Sequence, residues 1–71
     1  SNMKISKKSK VFMIDSSLKV IAFPNQNTIK VDNKTQKARM IKLNELDDNI
    51  AQNAYKELLI DSHNRKLSSK K

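Results

Sequence analysis

Seventy-one residues carry 15 Lys and Arg against 7 Asp and Glu, a net charge of +8, with no cysteine and no glycine. That length holds one domain with a small core. The missing cysteines exclude disulfide staples and thiolate metal sites, and the missing glycines exclude phosphate-cradling glycine loops. The charge favours a polyanionic partner, although all but Arg39 and Arg65 of the basic residues are lysines, which also serve solubility.

Ser1 and Asn2 precede Met3 and read as an expression-tag remnant outside the fold. Residues 3–10, "MKISKKSK", hold four lysines around a single isolated Ile5. Like charges repel and little there can be buried, so a flexible basic arm is expected. The domain proper is expected over residues 11–63. "VFMI" at 11–14 and "LKVIAF" at 18–23 are β-prone runs separated by "DSS", which predicts a hairpin. Pro24 cannot donate to a ladder and ends the second run. After the "NQN" turn, "TIKVD" at 28–32 alternates, with Ile29 and Val31 on one side and Thr28, Lys30 and Asp32 on the other. "NKTQ" at 33–36 is a further turn, and "KARMIKL" at 37–43 reads as the last strand, with Lys37, Arg39, Ile41 and Leu43 on one face. Without glycine, Asn and Asp are expected at any left-handed backbone position.

A helix is predicted over residues 45–63. Asn44 is the expected N-cap, and Glu45, Asp47 and Asp48 would lie in the first turn, where acids complement the helix dipole. Ile50, Ala51, Ala54, Tyr55, Leu58 and Leu59 form a broad apolar face. Residues 64–71 are expected as a flexible basic tail. The fold class is therefore α+β: an antiparallel meander of three or four strands with one amphipathic helix laid on it. Ile60 and Leu67 fall outside the main apolar arc and could extend a contact with a second chain. A homodimer is expected, because so small a core gains from a partner. No apolar run approaches a membrane span or a signal-peptide core, so a cytoplasmic protein without a membrane partner is expected.

A catalytic constellation is missing. His63 lies near the helix C-terminus, where it complements the dipole. Asp15, Ser16 and Ser17 are turn residues without the glycines of a nucleophile elbow. Glu45, Asp47 and Asp48 lack the spacing of a calcium loop. No cofactor, metal or enzymatic activity is expected.

What remains is binding. Lys30, Lys34, Lys37, Arg39 and Lys42 gather on one predicted hairpin, with Lys7, Lys8 and Lys10 on the arm. A twisted two-stranded ribbon carrying cations can enter the major groove of duplex DNA. Phe12, Phe23 and Tyr55 are all expected in the core, which leaves no aromatic platform for stacked single-stranded bases. The expected function is a non-enzymatic DNA-binding accessory or regulatory protein. The alternative is a protein–protein interaction module whose lysines serve solubility.

Overall fold

The computed structural model describes residues 2–68. Five strands precede one helix: β1 (Met3–Lys7), β2 (Lys10–Ile14), β3 (Val20–Ala22), β4 (Ile29–Val31), β5 (Ala38–Met40), a 3-10 turn (Leu43–Glu45) and α1 (Asn49–Ser68). β1, β2 and β3 form one antiparallel sheet in that order, and β4 and β5 form a second, two-stranded one. This is the expected α+β arrangement with one more strand.

The extra strand is the segment expected as a flexible arm. Met3, Ile5 and Lys7 pair with Ile14, Phe12 and Lys10, so Ile5 joins a face that β2 has already made apolar. Four lysines hid a period of two that a neighbouring strand makes useful. The expected hairpin over 11–23 is present as β2 and β3, with a bulge between Met13 and Ile14. The last predicted strand is shorter than its run, since β5 stops at Met40. The chain then leaves β4 and continues along β3. Val20 N–H donates to Ile41 O at 2.8 Å and Leu43 N–H to Leu18 O at 2.9 Å, with Lys19 facing Lys42. Residues 38–43 thereby couple the two sheets.

The buried core is Phe12, Ile14, Val20, Phe23, Ile41, Leu43, Leu46, Ala51 and Ala54. Phe12 and Phe23 meet with ring centroids 4.9 Å apart. From α1 only the two alanines are fully buried, with Ile50, Tyr55 and Leu58 packed at their margin. Small side chains let the helix approach the sheet closely. Leu59, expected in the apolar face, is 45% exposed.

The helix begins later than predicted. Asn44 lies in the 3-10 turn, and the cap is Asp48, whose Oδ1 accepts the Ala51 N–H at 2.9 Å. At its other end α1 runs past residue 63, and residues 59–67 are exposed. That extension has an Asp61–Arg65 pair at 2.9 Å and the basic Arg65 and Lys66 in its last turn, both favourable to a helix end. Residues 69–71 of the expected tail lie outside the described residues.

Turns without glycine are costly. Lys8, Ser9, Leu18, Asn25 and Gln36 all have positive φ, and only Asn25 is of the expected type. Two of these turns are held by a carboxylate. Asp15 Oδ1 accepts Ser17 and Lys19 N–H at 2.8 and 2.9 Å, and Asp32 Oδ1 accepts Lys34 and Thr35 N–H at the same distances. Those bonds hold the Asp32 carboxyl below its ordinary pKa. The β1–β2 turn has no such support: Lys8 and Ser9 sit at φ 46° and 69°, the two left-handed positions for which Asn-Gly is suited. Lys8→Asn with Ser9→Gly should therefore raise stability by about 1 kcal/mol, and the melting temperature by about 4–8 °C. Thermal unfolding followed by circular dichroism checks this; a lowered midpoint would contradict the strain assigned to the turn.

Candidate nucleic-acid interface

The eight candidate cations do not form one group. Lys30 lies directly across from Arg39 in the β4–β5 register, between the Ile29–Met40 and Val31–Ala38 pairs. Lys37 falls on the Arg39 face by alternation, next to the turn that carries Lys34. Lys30, Lys37 and Arg39 line a shallow groove of about 350 Å³ with Val31, Asp32 and Thr35. Both faces of β4 are exposed. Four of the expected residues, Lys30, Lys34, Lys37 and Arg39, are thus brought together on a projecting ribbon.

Lys42 is not among them. Ile41 is buried on the face that Arg39 shares, so Lys42 points the other way and pairs with Lys19. Lys7 lies on β1, with Nζ 3.3 Å from Glu57 Oε1 on α1, and Lys8 occupies the tight turn. Lys10 is half-buried: it pairs with Asp48 Oδ2, and its Nζ lies 5.4 Å from the Phe23 ring centroid.

Arg39 has a structural role that residue types alone did not reveal. Its Nη1 and Nη2 donate to Glu45 Oε1 and Oε2 at 3.1 and 2.8 Å, a bidentate fork. Lys42 N–H adds a 2.8 Å bond to Oε1. The Arg39 bonds, with that backbone bond, hold the Glu45 carboxyl at about 2, and the field of Lys30 adds to them. Asp48 is also held low, by Lys10 first and by the Ala51 N–H second. Glu45 and Asp48, two of the three acids expected in a helix first turn, instead anchor the two hairpins. Among the described residues no three His, Cys, Asp or Glu side chains converge as metal ligands. Lys30, Lys34 and Lys37 make no side-chain hydrogen bond or ion pair within the described residues.

The opposite face of the strands is uncovered. Lys4 pairs with Met13, Met13 with Ala22, and Ile29 with Met40, all turned away from the core. Val11, Ile21, Ile29 and Val31 on this side are 49, 37, 44 and 50% exposed. Lys19 and Lys42 face each other across the bridge that joins β3 to residues 41–43. Lys4 and Lys19 were not candidates, yet alternation around Val20 and Ile41 places Lys19 on this face beside Lys42. Among the described residues no helix is long and apolar enough to cross a membrane.

Comparison with protein-family models, with curated proteins and with solved structures finds no significant match for this chain.

Two acid-linked predictions follow from the anchoring pairs. A carboxylate held below its ordinary pKa contributes stability that is fully present above the unfolded value and lost as pH falls through the folded one. Glu45 should therefore contribute above about 4.5 and lose its contribution toward about 2. Urea unfolding at several pH values should show Glu45→Gln less stable than wild type at neutral pH, with the difference shrinking over that range; a constant difference would contradict the pairing. At Asp48, Ala should cost about 1 kcal/mol for the cap alone. Asn, which also caps, should cost less in the same assay, and equal losses would mean that the cap contributes nothing.

Proposed function

We propose that this protein is a non-enzymatic binder of duplex DNA, acting through the β4–β5 ribbon as an accessory or regulatory protein. The observation that carries the reading is Lys30 placed across from Arg39 on a ribbon exposed on both faces, with Lys34 and Lys37 toward its tip. A major groove about 12 Å wide admits such a ribbon, whereas the deep, narrow major groove of RNA does not. Among the described residues Lys30, Lys34 and Lys37 have no ion pair to break before meeting phosphate, and Arg39 is oriented by Glu45. Lysine–phosphate contacts of this kind supply affinity and register more than base discrimination.

The uncovered apolar face supports a second reading, a protein-interaction module. Val11, Ile21, Ile29 and Val31 would meet an apolar partner surface and the lysines around them its acidic rim. An interaction that survives nuclease treatment separates this reading from the first.

Fluorescence anisotropy with a labelled duplex at about 50 and 200 mM salt tests the first reading, since the electrostatic contribution is greatest at low salt. Lys30→Ala with Lys37→Ala should weaken binding and reduce the slope of log K against log salt by about 2. Lys19→Ala with Lys56→Ala, which removes the same charge elsewhere, should have a smaller effect. Absence of binding at about 50 mM salt, or equal losses for the two pairs, would contradict a ribbon site.

A further inference from the structure

Strand β1 ends its sheet, and among the described residues nothing pairs with its outer edge. The two-residue Lys8–Ser9 turn makes Lys7–Lys10 a hydrogen-bonded pair. Alternation along an antiparallel ladder then turns the N–H and C=O of Lys4 and Ser6 toward the open edge. An unpaired edge of this kind is a template for another strand. Beside it, between β1 and the projecting part of α1, lies a groove of about 470 Å³. Ile5, Leu58 and Ile60 line it together with Lys7, Glu57 and Asp61. Ile60 is 62% exposed.

We propose that this edge and groove are the self-association surface of the protein, occupied by β1 of a second copy running antiparallel about a two-fold axis at Ile5. In that register Lys4 bonds with Ser6 of the second copy in both directions, and the same pair repeats across the axis. Every outward-facing backbone group of Lys4 and Ser6 is then satisfied. Ile5 meets its own counterpart on the core side, next to Leu58 and Ile60, and the two sheets become one.

The choice of occupant rests on charge and symmetry. A two-fold interface presents the same patch on both sides, so the patch must complement itself. The groove carries both signs, with Lys7 3.3 Å from Glu57, and Asp61 also on its lining. The uncovered sheet face carries Lys4 and, by alternation from Val20, Lys19 among its apolar residues, and stacking two such faces would bring like charges together. The edge therefore suits a second copy better than that face does. One repulsion remains: Lys4 and its counterpart lie diagonally across the axis, roughly 7–8 Å apart. Salt screens it.

Sedimentation velocity from about 10 to 300 μM, at low and high salt, should show one chain passing to two as concentration rises, and at lower concentration in high salt. That salt response is opposite in sign to the one expected for duplex binding, so the two proposals fail separately. Ser6→Pro removes an outward N–H without touching the β1–β2 ladder, and should leave one chain throughout with an unchanged circular dichroism spectrum. Hydrogen exchange on the wild-type chain supplies a second measurement independent of any variant: the Lys4 and Ser6 amides should gain protection only at high concentration. A wild-type chain that stays single throughout would overturn the proposal. So would an oligomer in which those two amides exchange as they do in the dilute protein.

Discussion

The Asp48 carboxylate is the joint between helix and sheet. One oxygen caps α1 through the Ala51 N–H, and the other meets Lys10, whose ammonium lies beside the Phe23 ring. Its side chain is only 10% exposed, so the pair is screened less than a surface bridge would be. Three things are set together: where the helix begins, where the β1–β2 hairpin lies against it, and which face of Phe23 is covered. With the helix start fixed there, Ala51 and Ala54 join the buried cluster that holds Ile14, Val20 and Leu43. A core this small leaves little margin for a misplaced helix.

The same logic recurs wherever the chain must turn or join. Glycine is absent, so left-handed positions fall on Lys, Ser, Leu, Asn and Gln. Asp15 and Asp32 stabilise two of these turns by collecting backbone N–H groups. Glu45 performs the corresponding task between the β4–β5 ribbon and the 3-10 turn. In a chain with more than twice as many cations as anions, most of the anions have a structural partner. Among the described cations without an ion pair, Lys30, Lys34 and Lys37 share the ribbon, while Lys4, Lys8, Lys19 and Lys56 lie elsewhere.

Local patterns were legible wherever one segment's own neighbours decided its conformation. The β2–β3 hairpin follows from two apolar runs around Asp-Ser-Ser, and the helix face at Ile50, Ala51, Ala54, Tyr55 and Leu58 follows from its period. Non-local terms were not legible. Met3, Ile5 and Lys7 became a strand because Phe12 and Ile14 were there to meet them. Asn44 lost the cap to Asp48, which has a cation from another hairpin within reach. Leu59 is exposed because the sheet is too narrow to cover the whole helical face. At the candidate site, the clustering of Lys30, Lys34, Lys37 and Arg39 was readable from hairpin alternation. The Arg39–Glu45 fork and the departure of Lys42 to the opposite face were not, since both depend on residues 41–43 leaving β4 to run along β3.

The proposed function implies a division of labour: Lys7, Lys10 and Arg39 pair with Glu57, Asp48 and Glu45 within the fold, while Lys30, Lys34 and Lys37 would meet the polyanion. Amide chemical-shift mapping with a duplex DNA at low salt tests this most directly. The account predicts perturbations concentrated in β4, β5 and the turn between them, with the first turns of α1 and the β1–β2 hairpin unchanged. Shifts distributed evenly over all the lysine-bearing segments, or centred on Val11 and Ile21 across the uncovered face, would contradict it.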